Sequence, residues 1–107
     1  MNFMTPRLYA IASMVKKGAN VIDVGTDHAY IPVYLAVKKV SGRVLATDIK
    51  KGPLSRADAN IRKFGADNIV ATALSDGLCS LDTKGYDTVI IAGMGGQVIA
   101  DIMKKAD

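Results

Sequence analysis

Glutamate is absent from this 107-residue chain, whose acids are all aspartate, and there is a single cysteine (Cys79) and a single histidine (His28). One cysteine excludes an internal disulfide. One cysteine with one histidine falls short of the three or four such ligands that a zinc site requires, so no metal is expected. No apolar run approaches the roughly 20 residues of a membrane span, and Met1 to Lys17 lacks the order of a secretory leader. A reducing, cytoplasmic setting is the expectation.

Half of the residues are apolar, enough for a core within the size of one domain. Lysine and arginine outnumber the acids by 14 to 10, and eight of the ten lysines come in pairs at 16–17, 38–39, 50–51 and 104–105. Such pairs suit an ordinary solvated exterior and are also compatible with a polyanionic partner.

Thr5-Pro6 reads as an N-cap followed by proline at the first helical position, with Leu8, Ile11, Ala12 and Val15 at helical spacing up to Gly18. Asn20 to Gly25 is a short, β-branched run stopped by glycine, as in a strand buried on both faces. A helix follows through Val40, a second strand over Arg43–Asp48, and a third helix marked by Leu54, Ala57, Ile61 and Phe64 and closed by Gly65. Asn68–Leu74 is a weaker, alanine-rich strand, Tyr86–Ala92 a strongly apolar one, and Gln97–Lys105 reads as a final helix. Strands alternating with helices predict an α/β fold, doubly wound, with a mostly parallel sheet and helices on both faces.

In such a sheet, ligands bind beyond the carboxyl ends of the strands. The first strand runs into Asp23-Val-Gly25-Thr26-Asp27-His28-Ala-Tyr30, where a dinucleotide fold carries G-x-G-x-x-G; here Asp27 and Tyr30 replace the second and third glycines. A carboxylate about 4 Å from a phosphate costs about 4 kcal/mol at an effective dielectric of 20, which disfavours a pyrophosphate cofactor. S-adenosylmethionine has no phosphate, and its ammonium and sulfonium are positive. Asp23 and Asp27 suit it, although either alone also reads as a turn or helix cap.

Asp48 ends the second strand, where an acid can accept ribose hydroxyls, and it stands close to twenty residues after Gly25. Asp76-Gly77 follows the third strand, either as an ordinary Asp-Gly turn or as a contact for an adenine amino group. The fourth strand ends in Ala92-Gly93-Met94-Gly95-Gly96, where glycines permit close approach of the backbone to a ligand.

Taken in order, Asp23-x-Gly-Thr-Asp-His-Ala-Tyr-Ile-Pro32, Asp48, Asp76-Gly77 and Ile91-Ala-Gly-Met-Gly-Gly96 resemble the bacterial tRNA (adenine-N1)-methyltransferases over nearly the whole chain. Thr5-Pro6-Arg7-Leu8 is similar to the Ser/Thr-x-Arg-Leu segment that opens family members. The resemblance implies a Rossmann-like methyltransferase with S-adenosylmethionine as cofactor and tRNA as partner. It implies a cofactor set of Asp23, Gly25, Thr26, Asp27, His28, Asp48, Ile49, Asp76, Gly77, Gly93, Met94 and Gly95, with Arg7 and Tyr30 toward the substrate and Asp27 as the catalytic candidate. Asp48 stands where the family commonly has Glu, a small change of reach.

That fold has about six or seven strands. The chain is therefore expected to form its N-terminal, cofactor-binding part, cut after the fourth strand and its helix, with the remaining strands and a C-terminal helical extension lying outside it. An open edge on the fourth strand would then invite self-association. Adenine N1 has a free lone pair at neutral pH, so the chemistry needs mostly orientation. His28 reads equally as a base or as a residue that orients the turn or caps the helix, Tyr30 as packing or as a stacking partner, and Cys79 as a buried filler. A nicotinamide-dependent oxidoreductase and a non-catalytic RNA-binding module remain alternatives.

Overall fold

A computed structural model describes residues 3–76, 81–91 and 98–101. The Thr5 hydroxyl accepts the Leu8 N–H at 3.2 Å and Pro6 begins the helix, so α1 spans Pro6–Ser13. It ends before Gly18, as the Ser13 hydroxyl turns back onto the Ala10 carbonyl (2.7 Å), a competition that weakens a helix end. Gly18, at φ +90°, serves instead in the turn before the first strand, where its N–H donates to the Val40 carbonyl at 2.7 Å.

Four short strands form the parallel part of the sheet: β1 (Val21–Val24), β2 (Val44–Asp48), β3 (Val70–Leu74) and β4 (Thr88–Ile91), ordered β3-β2-β1-β4. Helices α2 (Tyr30–Val37) and α3 (Lys51–Lys63) make the crossovers from β1 to β2 and from β2 to β3. Pro32 is tolerated in the first turn of α2, where no intrahelical N–H bond is lost. Alternation along the strands separates two cores. Val21, Val44, Ala46, Val70 and Ile90 face the helices with Ile11, Val33, Leu35, Ala57 and Ile61. Ile22 and Val89 turn to the other face.

The α/β fold with a mostly parallel sheet is as expected. All three helices among the described residues contribute to one core, and Tyr86 and Leu81, residues of the segment between β3 and β4, lie against the second face. One expectation is corrected: the helix expected over Gln97–Lys105 is not formed in its described part, where Val98–Asp101 is a strand, β5, antiparallel to β4 with Ile90 opposite Ile99. The β-branched pair Val98-Ile99 adjoins an apolar strand edge whose backbone donors and acceptors need partners, and pairing outweighs a short helical periodicity. The β4 edge expected to stay open is thereby filled.

Strand order reverses at β1. The chain steps outward from β1 to β2 and β3, then returns to β4 on the other side of β1. Loops leaving the carboxyl ends of these strands diverge there, which is where an open α/β sheet forms a crevice.

Candidate functional site

Asp23 lies in β1, 4% exposed, with one carboxylate oxygen accepting the Thr26 hydroxyl at 2.8 Å. Burial raises its pKa from 3.8 to about 7; the Thr26 bond opposes the rise, and the Asp48 carboxylate adds to it. No lysine, arginine or histidine pairs with it among the described residues. The turn that follows places Gly25, Asp27 and Ala29 at φ +72°, +52° and +60°. Left-handed backbone at an aspartate is tolerable, but at the fully buried Ala29 it is strained by about 1–2 kcal/mol.

This turn is tied to the end of β2. The Thr26 N–H donates to the Thr47 carbonyl (2.8 Å), the Thr47 hydroxyl donates to the Asp23 carbonyl (3.1 Å), and the Asp27 N–H donates to Asp48 Oδ2 (3.2 Å). Asp48 Oδ1 accepts the Lys50 N–H at 3.2 Å, so among the described residues each oxygen of this buried acid has one backbone donor and one lone pair left. Beside it Ile49 is 60% exposed, unusual for its residue type. The Ser75 N–H donates to the Asp48 carbonyl (2.8 Å), which brings Asp76, exposed, to the same end of the sheet.

A cavity of about 190 Å³ is lined by Arg7, Leu8, Asp23, Gly25, Thr26, Asp27, His28, Tyr30 and Ile31. Seven of the sequence-derived candidates therefore meet in one hollow. Asp48, Ile49 and Asp76 stand outside its lining, around the end of β2. Gly77, Gly93, Met94 and Gly95 lie outside the described residues. So does Cys79. A hollow below the usual 300–1,000 Å³ of a ligand pocket takes one end of a small molecule.

Asp27 points toward solvent, with Oδ1 3.0 Å from Arg56 Nη2 and 3.8 Å from His28 Nε2. His28 stacks on Tyr30 at 5.0 Å and 9°, and Tyr30 on Phe3 at 4.9 Å and 27°. Tyr30 is therefore packed. His28 does not cap α2, whose N-cap is the left-handed Ala29. Instead the His28 carbonyl accepts the Asn60 side-chain amide at 2.9 Å.

Arg56, Asn60, Thr47 and Phe3 were not legible as site residues. Arg56 and Asn60 stand four apart on α3, one helical turn, and that spacing was the available signal for a helix face turned toward the Asp27–His28 loop. Among the described residues no group of three or more metal-ligating side chains occurs, and no helix is long and apolar enough to cross a membrane.

Comparison with known proteins places this geometry in context. A family described as a methyltransferase domain matches residues 4–107. The tRNA (adenine(22)-N(1))-methyltransferase of Bacillus subtilis (strain 168) is 33% identical over 101 residues, 94% of this chain and 42% of its own length. Among solved structures, M. capricolum TrmK in complex with S-adenosyl-homocysteine has 35% identity and a TM-score of 0.78, over 84% of this chain and 41% of that one. Streptococcus pneumoniae Sp1610 in complex with S-adenosyl-L-methionine has 32% identity and a TM-score of 0.80, over 85% of this chain and 43% of that one. The chain thus spans less than half the length of these relatives.

Proposed function

Because the chain belongs to the methyltransferase-domain family, we propose that residues 1–107 form the N-terminal, S-adenosylmethionine-binding part of an enzyme that methylates N1 of an adenine in tRNA. The observation that carries this reading is Asp23: a buried carboxylate without a cationic partner among the described residues, facing a hollow too small for a nucleoside and suited to an amino-acid ammonium. The match to tRNA methyltransferases with bound S-adenosyl-homocysteine or S-adenosyl-L-methionine supports it.

In this assignment Asp23, Gly25, Thr26 and His28 hold the amino-acid end. Asp48 accepts the ribose hydroxyls with its remaining lone pairs, Ile49 offers apolar surface to the adenine, and Asp76 accepts from its amino group. Gly77, Gly93, Met94 and Gly95 complete the proposed set on sequence alone. The cofactor, when bound, supplies an electrophilic methyl group on a sulfonium. The chain's own work is orientation, worth up to roughly 7–11 kcal/mol in favourable cases.

Asp27, at the rim, is placed to balance positive charge on the target base or to accept a proton from its amino group. Arg7 lies across the cavity on the substrate side. Tyr30 contributes through its stack, which fixes the His28 ring at the cavity wall. A paired adenine has to leave its stack to reach Asp27. Self-association through a sheet edge also remains part of the proposal, with β3 and β5 now the outer strands.

Calorimetry with S-adenosylmethionine, S-adenosyl-homocysteine and NAD tests the reading. Binding of the first two and not the third is expected, and Asp48→Ala should weaken it by about 1.5–3 kcal/mol, the range for hydrogen bonds to a charged group. Binding of NAD alone would reject the assignment.

A further inference from the structure

The outer face of α3 carries its cations in one arc. At 100° per residue, Lys51, Arg62, Ser55, Ala59, Gly52, Lys63 and Arg56 fall in sequence within about 140°, and all seven are exposed. No acid lies in the arc. Asp58, the only acid of the helix, is half-buried, and its carboxylate accepts the Thr72 hydroxyl of β3 at 2.9 Å. Lys50 extends the row past the amino end of the helix, beside Asp48.

Arg56 joins this face to the candidate site. Its guanidinium reaches Asp27 at 3.0 Å, across the rim of the cavity. Both side chains are about half exposed (51% and 55%), so the pair contributes little stability and yields readily to a competing anion. Among the described residues Arg56 is the only one of the five cations in an ion pair. A 13-residue helix is about 20 Å long, enough to pass several phosphates of a nucleic-acid strand spaced about 3.4 Å along its axis.

We propose that the outer face of α3, from Lys50 and Lys51 to Arg62 and Lys63, is the docking surface for the phosphodiester backbone of RNA, with Arg56 as its contact nearest the site. The inference rests on the tRNA-methylating reading for the identity of the nucleic acid. Charge complementarity selects the partner: a polyanion of regular spacing meets a row of cations in which, among the described residues, only Arg56 is held by a carboxylate. Phosphate contacts of this kind set position and orientation and carry no base sequence. Target choice is left to the cavity rim.

The test compares two triple variants of the full chain with equal loss of charge. In Lys51→Gln/Arg62→Gln/Lys63→Gln the α3 face is neutralised; in Lys16→Gln/Lys17→Gln/Lys38→Gln the exposed lysines beyond α1 and α2 are. Anisotropy with labelled tRNA from 50 to 200 mM salt should show at least a tenfold loss of affinity at 100 mM and a salt slope shallower by about 2–3 for the first variant. The second should change by less than about threefold, and both should keep their thermal midpoint and their S-adenosylmethionine affinity. Equal losses in the two variants, no loss in the first, no tRNA binding by the parent chain, or displacement of tRNA by polyglutamate as efficient as by unlabelled tRNA would each overturn the surface. Failure to bind S-adenosylmethionine with the α3-dependent tRNA binding intact would instead overturn the proposed function and leave the surface standing.

Discussion

At the amino ends of β1 and β4 the polar groups close on one another, whereas at the carboxyl ends they are held but not saturated. The Asn20 N–H donates to Asp87 Oδ1 (3.1 Å), the Asn20 amide donates to the Gly85 carbonyl (2.9 Å), and the Asp87 and Thr88 N–H groups return to the Asn20 carbonyl. The Thr88 hydroxyl also bonds Asp87 (2.9 Å), and the Arg43 guanidinium lies 4.5 Å over the Tyr86 ring, against Gly85. Positive φ at this end falls on Gly18, Gly85 and the exposed Lys39. At the other end it falls on Asp27 and the buried Ala29 as well as Gly25, and among the described residues a buried acid has no counter-charge and Asp48 keeps unused lone pairs. The same strands thus support a clamp at one end and, at the other, a turn with a buried left-handed alanine beside an acid that no described cation balances, an arrangement that binding sites tolerate.

The strongest test of that contrast is pH. Asp23 has a folded pKa of about 7, above the ordinary 3.8 of an aspartate, so between about pH 4 and 7 the folded chain holds a proton that the unfolded chain has released. Stability therefore falls as pH rises through this window, by an amount on the order of a few kcal/mol. Asp23→Asn removes the titration and can still accept the Thr26 hydroxyl. Urea unfolding should find the variant close to the parent at pH 4 and clearly more stable at pH 8, with S-adenosylmethionine binding lost. Parallel pH profiles for the two proteins would mean that Asp23 has a counter-charge after all.

A smaller effect is expected at the closed end. Asp87→Ala leaves the Asn20 N–H and the Thr88 hydroxyl without their acceptor, at about 1–3 kcal/mol. The loss should appear as a lower denaturation midpoint, independent of pH from 5 to 8, with cofactor affinity measured under folded conditions unchanged. A change in affinity would show that the two ends are coupled through β1.

Much of this division was legible in the chain. β-Branched runs stopped by Gly25 and Asp48 located β1 and β2, and period-2 burial follows from them. Asp23 and Asp27 at the end of β1, with Arg7, His28 and Tyr30, marked the hollow. What was not legible came from contacts distant in sequence. Asn20 meets Asp87 across 67 residues, and Arg56 meets Asp27 across 29, with no periodicity to announce either. The segment Val98–Asp101 misled for a different reason: a helical repeat was read locally, and the neighbouring edge of β4, a tertiary partner, decided for a strand.

The smallest effect is expected at Ala29, and it separates strain from purpose. Glycine at φ +60° relieves about 1–2 kcal/mol of left-handed strain. Ala29→Gly also removes a methyl that is completely buried, about 0.8 kcal/mol, and makes the unfolded chain more flexible by about 0.4–1 kcal/mol. These terms nearly cancel, so the unfolding free energy should stay within about 0.5 kcal/mol of the parent. Binding should not be neutral. The Thr26–Ala29 turn is held in one conformation by the buried alanine methyl and by the Ala29 N–H to the Thr26 carbonyl at 3.1 Å, and a glycine there restores freedom that a ligand must then remove. A two- to fivefold weaker affinity for S-adenosylmethionine at unchanged stability is expected from calorimetry, equivalent to at most about 1 kcal/mol. A variant more than 1 kcal/mol more stable with parental affinity would show that the left-handed alanine is strain without a role in the site.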